Sequence, residues 1–219
     1  MIRNTKKLQA RVAEICARLD AEYSDKIETY LDHGNAFELL IATILSAQCT
    51  DARVNMVTPA LFAAYPDPAA LAKADVKKVE KLIHSTGFYH HKARNIIACA
   101  DAIVTRFDGE VPRTIEDLTS LPGVGRKTAN VVRGNIYKEA SIVVDTHVKR
   151  ISKRLGLTNE TDPVKVEYDL MKVLPEENWI RYNIQIIHLG RTICTSQRPK
   201  CEQCFLADIC PEDPSLRSG

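Results

Sequence analysis

The sequence predicts an all-α fold. Apolar residues recur at helical spacing along nearly all of its 219 residues. The single strand-like run, Ser141 to Asp145, has no second strand to pair with. No internal repeat or low-complexity segment breaks the pattern.

Leu8, Val12, Ile15 and Leu19 form the stripe of a first helix. Residues 36–48, AFELLIATILSAQ, are apolar nearly all round, as in a central buried helix. Thr50 and Asp51 are N-cap candidates for a third helix that ends before Pro66. Residues 75–87 are amphipathic and close on Gly87, a common helix stop. Residues 92–107 repeat the pattern until Asp108-Gly109 ends it, and 116–120 make a short helix. Further helices are predicted over 124–138, 146–155, 162–174 and 177–193.

An apolar fraction of 45% suffices for a real core, and the length allows one large domain or two small ones. The net charge of +2 excludes a polycationic tail but allows a local basic face. The N-terminus has no uninterrupted apolar stretch and carries Glu14, so neither a signal nor a transit peptide is expected. No run approaches the roughly 18 apolar residues of a membrane span. The expectation is a soluble, cytoplasmic protein in a reducing compartment, with no membrane partner.

Cys194, Cys201, Cys204 and Cys210 stand six, two and five residues apart. Four thiolates within 17 residues can surround a metal centre. Disulfides are the bland alternative. Cys16, Cys49 and Cys99 are scattered singly, and with no export signal they argue against it. The spacing does not choose between zinc and an iron–sulfur cluster.

LPGVGRKTAN, residues 121–130, joins a short helix to a longer one. Gly123 and Gly125 can adopt positive φ and admit close backbone approach. Amides of Gly123, Gly125 and Arg126 at a helix N-terminus make an anion site that suits a nucleic-acid phosphate. Lys127 and Thr128 follow in the first turn. A tight turn that merely starts a helix is the plainer reading.

LPGVGRKTAN resembles the helix–hairpin–helix of the endonuclease III family of DNA repair glycosylases. VDTHVKR, residues 144–150, follows at that family's distance, with Asp145 18 residues after Lys127. ILSAQCTD (44–51) and GFYHHKARNI (87–96) resemble its buried-helix loop and its second DNA-facing loop, and the four cysteines match its cluster in order and spacing. The resemblance spans nearly the whole chain. It implies a six-helix barrel over residues 29–139. It also implies a discontinuous helical domain of residues 1–28 and 140–219 that holds a [4Fe–4S] cluster, with a DNA groove between the two. A monomer acting on damaged double-stranded DNA is expected.

The resemblance also implies roles. Lys127 is the nucleophile and Asp145 its carboxylate partner. Gln48 and Phe88 enter the gap left by an extruded base, where Phe88 replaces the aliphatic residue common in the family. Gly123, Val124, Gly125, Arg126 and Thr128 hold phosphate, His147 lies beside the DNA, and Arg198 and Lys200 meet the backbone from the cluster loop. A lysine amine that attacks C1′ displaces the base and forms a Schiff base, whose acidified 2′ hydrogens permit β-elimination 3′ to the lesion. Desolvation favours the neutral amine, and a nearby carboxylate stabilises positive charge on the sugar. The plainer roles are a phosphate contact for Lys127 and a helix N-cap for Asp145. The cap is compatible with catalysis.

Two alternatives remain at this stage. A mismatch-specific monofunctional glycosylase of similar sequence carries serine at the Lys127 position, glutamate near Ala42 and a further C-terminal domain, whereas this chain runs nine residues past Cys210. A non-enzymatic DNA-binding protein with a structural zinc needs no Lys–Asp pair.

Overall fold

The structure, a computed structural model, describes residues 5–24 and 29–212. The chain separates into two units, Thr29–Glu139 and Met1–Glu28 with Ala140–Gly219. The expected domain boundary at residue 28 lies outside the described residues. All regular elements among the described residues are helical, as the apolar spacing predicts.

The Thr29–Glu139 unit is built around α2 (Ala36–Leu45), in which every residue from Leu39 to Leu45 is buried. Asn35 accepts from the Glu38 amide at 2.9 Å, while the Gly34 amide donates back to the Glu38 carboxylate at 2.6 Å. Reciprocal capping of this kind fixes where a largely apolar helix begins. Around α2 lie α3 (Asp51–Ala64), α4 (Pro68–Ala72), α5 (Val76–Ile83), α6 (Tyr89–Arg106), α7 (Ile115–Thr119) and α8 (Arg126–Asn135). Leu61, Val79, Ile83, Ile96, Ile103, Leu118 and Val132 close the core against it.

The Met1–Glu28 and Ala140–Gly219 unit joins α1 (Lys6–Glu22) to α9 (Thr146–Arg154), α10 (Pro163–Val173) and α11 (Trp179–Thr192). The predicted stripe of α1 is buried, with Cys16 beside it. Ser152 and Tyr182 share a buried hydroxyl hydrogen bond at 2.9 Å, and Gln185 donates to Asp20 at 2.8 Å. Fully buried polar groups need such partners.

Several boundaries differ from the sequence reading. α2 stops at Leu45 rather than 48, because residues 46–49 form a turn whose Gln48 is left-handed, with φ 53°. α6 begins at Tyr89, three residues earlier than its apolar stripe suggests, and α8 is trimmed to Arg126–Asn135. α4 is five residues long, too short to show a period; Asp67 caps it and Pro68 opens it. Residues 141–145 are extended but pair with no strand.

Candidate functional site: a glycine hairpin, two left-handed loops and a four-cysteine cavity

The hairpin residues 121–125 connect α7 to α8. Thr114 caps α7, accepting from the Asp117 amide at 3.1 Å. Arg106 of α6 donates to Ser120 Oγ at 2.7 Å, so the end of α7 is tied from a third helix. Gly123 has φ 77°, a region that disfavours a side chain. Gly125 is the N-cap of α8 and brings no side-chain acceptor to the first-turn amides of that helix. These are the groups that attract an anion.

Arg126 and Thr128 are half-buried, and Lys127 is exposed in the first turn of α8. Val124 departs from the sequence expectation. Its side chain is buried in the core and its amide donates to the Leu121 carbonyl at 3.1 Å, so it holds the hairpin's shape from inside and offers no donor outward.

Gln48 and Phe88 lie in the same unit as the hairpin. Both are exposed, and both are non-glycine residues in the left-handed region, at φ 53° and 49°. Phe88 is 65% exposed, against a plain role as an interhelical contact. Gly87 precedes it at φ 69°. Such backbone costs about 1–3 kcal/mol per residue and persists only where its surroundings dictate it.

In the other unit Asp145 is the N-cap of α9, its Oδ1 accepting from the Val148 amide at 2.8 Å. His147 rests on Gly190 of α11, where any β-carbon would overlap the imidazole. Its Nδ1 faces Arg150 Nη2 at 3.3 Å. Burial pulls the Arg150 pKa down, reinforced by the neighbouring Arg154 charge and opposed by Cys194 and Asp145.

Cys194, Cys201, Cys204 and Cys210 line one cavity of about 180 Å³, together with Arg154, Ile193 and Ala207. All four are free thiols, which excludes the disulfide reading within this fold. Among the described residues no three His, Cys, Asp or Glu side chains converge on a single-ion site. Four thiols lining one cavity can together hold a metal or iron–sulfur centre. Arg154 Nη1 donates to Cys194 Sγ at 3.2 Å and to the Thr195 carbonyl at 2.8 Å, and its Nη2 donates to the Ser196 carbonyl at 3.0 Å. A cation at that sulfur suits a ligand carrying negative charge.

The cluster loop also has anchors the sequence reading missed. Leu206 is buried, Phe205 packs edge-on against Tyr23, and Arg18 grips Asp208 at 2.6 Å and the Phe205 carbonyl at 2.8 Å. Arg198 and Lys200 are exposed on the preceding loop. That loop is closed by the Lys200 amide donating to Ile193 at 3.0 Å and by Thr195 Oγ1 donating to the Arg198 carbonyl at 2.7 Å.

Residues 41–176 match the HhH-GPD superfamily of base excision DNA repair proteins, and residues 194–210 match the iron–sulfur binding domain of endonuclease III. The endonuclease III of Synechocystis sp. is 55% identical over 182 residues, 83% of each chain. That of Bacillus subtilis is 42% identical over 206 residues, 94% of each. A solved non-covalent endonuclease III–DNA complex superposes with TM-score 0.89 at 39% identity, covering 100% of both chains. A thermostable thymine-DNA glycosylase, at 21% identity and TM-score 0.82, shares the fold. No helix among the described residues is long and apolar enough to cross a membrane.

Proposed function

Because the chain belongs to the endonuclease III family of base excision DNA repair proteins, we propose that Lys127 is its nucleophile and Asp145 the carboxylate that supports it. The protein is a DNA N-glycosylase and AP lyase that removes damaged pyrimidines, and it carries a [4Fe–4S] cluster. Its partner is DNA. It acts on damaged duplexes as a monomer.

The observation that carries the assignment of Lys127 is its position. It stands exposed as the second residue of α8, behind a glycine N-cap at a helix start that suits a phosphate. Held there, a phosphate sets the sugar against the amine. The target nucleotide leaves the stack first, and Gln48 and Phe88 fill the gap. Both already project from strained, exposed turns.

The neutral Lys127 amine attacks C1′, the C1′–N bond breaks and the base departs with the bonding electrons, taking up a proton. Ring opening gives the Schiff base. Loss of a 2′ proton and cleavage of the C3′–O bond cut the strand 3′ to the lesion, and hydrolysis of the imine frees Lys127. Because Lys127 is exposed in the free protein, the desolvation that favours its neutral form comes from the DNA that covers it. Asp145 spends Oδ1 on the α9 cap, and Oδ2 makes no hydrogen bond among the described residues. A cap that orients one oxygen leaves the other to stabilise charge developing at the sugar.

Cys194, Cys201, Cys204 and Cys210 hold the cluster, which when bound supplies four iron–thiolate bonds that fix the loop. Arg198 and Lys200, on the same loop, contact the DNA backbone. Arg126, Thr128 and His147 add contacts.

Borohydride trapping on a thymine-glycol duplex tests this reading. Wild-type protein becomes covalently linked to the DNA, while Lys127→Gln keeps its fold and DNA affinity but does not trap. Trapping by the variant at the wild-type rate assigns the chemistry to another amine.

A further inference from the structure

Lys92, in the first turn of α6, is a charged residue with only 5% exposure. Its Nζ donates to the Thr86 carbonyl at 2.7 Å, the only hydrogen bond of that ammonium among the described residues. Buried ammonium groups are costly, and a structure retains one where it satisfies or fixes something specific. Burial pulls the Lys92 pKa down.

Thr86 and Cys49 belong to different loops. Thr86 ends a short 3-10 turn, His84–Thr86, and is followed by Gly87 and Phe88, both left-handed. The Thr86 hydroxyl donates back to the Ile83 carbonyl at 2.8 Å. Cys49 follows Gln48 in the turn after α2, where its amide donates to the Ser46 carbonyl at 3.1 Å. One buried cation thus holds the carbonyl of the loop that ends in the left-handed, exposed Phe88. The Lys92 amide closes the arrangement by donating to the Phe88 carbonyl at 3.1 Å.

We propose that Lys92 is a positioning residue for base extrusion: its ammonium, bonded to the Thr86 carbonyl, fixes the Gly87–Phe88 turn so that the Phe88 ring enters the duplex in register with Gln48. The proposal rests on the reading of Gln48 and Phe88 given above. Lys92 touches no substrate atom. It acts on the step that empties the stack and leaves the Lys127 chemistry alone. A preformed abasic site has no base to extrude, so its cleavage is insensitive to Lys92.

The test uses the cluster-loaded full chain, three single variants and one double variant. Lys92→Met keeps the length of the side chain and removes the donor. Gly87→Ala breaks the same turn at φ 69° without touching the ammonium, and open space surrounds the added β-carbon, so this variant guards against a core defect in the first. Phe88→Ala removes the inserted ring. Extrusion is read by the fluorescence of 2-aminopurine placed beside a thymine glycol, and lyase chemistry by borohydride trapping on an abasic duplex.

Lys92→Met and Gly87→Ala both slow extrusion and thymine-glycol excision, on the order of tenfold to 10²-fold as misplaced positioning groups do, while trapping on the abasic duplex stays at the wild-type level. In the Lys92→Met/Phe88→Ala pair the losses do not add, because the lysine works through the ring. Equal losses on both duplexes, or additive losses in the pair, assign Lys92 a merely structural role and overturn the proposal. Wild-type extrusion by Phe88→Ala removes the reading of Phe88 and the proposal with it. Wild-type extrusion by both Lys92→Met and Gly87→Ala, with Phe88→Ala impaired, overturns the proposal and leaves that reading intact.

Discussion

A β-carbon on Gly123 would stand 2.9 Å from the β-carbon of Asn95. Asn95 lies in α6, two turns beyond Phe88 at the start of that helix. One helix therefore supports the hairpin at one point and carries the left-handed Phe88 turn at another.

Gly123→Ala meets both this contact and the left-handed backbone, where a side chain costs about 1–2 kcal/mol. The expected result is a lower melting temperature and weaker DNA binding. The double variant Asn95→Gly/Gly123→Ala relieves the contact alone, so it recovers part of the stability. Full recovery would show that φ at this position carries no penalty.

Asp145 can be dissected by its two duties. Asn is as good an N-cap as Asp, so Asp145→Asn keeps stability while excision falls about 10²-fold with the lost charge. Asp145→Ala loses the cap as well, about a further 1 kcal/mol in thermal or denaturant unfolding. If both variants melt alike, the cap bond to Val148 has no energetic weight.

Arg198 and Lys200 are exposed on the loop proposed to meet the DNA backbone. Replacing both with Gln reduces the slope of log affinity against log salt by up to about two counterions. Binding titrations at several salt concentrations measure it, and an unchanged slope takes this loop out of the interface.

Arg154 holds the first arm of the cluster loop by three hydrogen bonds, one to a cysteine sulfur. Arg154→Met leaves two carbonyls and that sulfur without their donor. The variant is expected to purify with less visible absorbance per protein and to bleach faster under oxidant or chelator. Wild-type bleaching kinetics would make the contact incidental.

Burial pushes the Cys99 thiol from 9.0 up to about 12, and burial with the Asp20 charge does the same to Cys16. The folded state then holds protons that the unfolded state releases, so stability falls as pH rises from about 9 towards 12. Cys99→Ala flattens that decline in urea unfolding curves measured across the window. In native protein at pH 8, alkylation reaches half-buried Cys49 and spares Cys16 and Cys99.

Helices with a long apolar stripe were legible in the sequence, as in α1, because burial repeats with the helical period. The hairpin was legible because glycine is the residue its backbone requires, and the four cysteines because a metal centre needs their type and spacing. The five-residue α4 was not, since it spans too little of a period. The end of α2 was missed because Ala47 and Gln48 continue the helix pattern in composition while the backbone leaves it. Val124 looked like part of the phosphate site because spacing cannot tell an outward amide from one spent inside the hairpin. Lys92 gave no signal at all. Only the fold shows a lysine on the buried side of a helix.

The left-handed backbone at Gln48 and Phe88 sets two pressures on this chain against each other. Glycine at either position would relax the main chain and favour the free protein. Each such replacement would also delete a side chain proposed to enter the duplex. Screens that reward heat tolerance alone should therefore drift towards variants that fold better and repair worse. Among natural variants, a glycine at either position would mark a lineage that extrudes the base by other means.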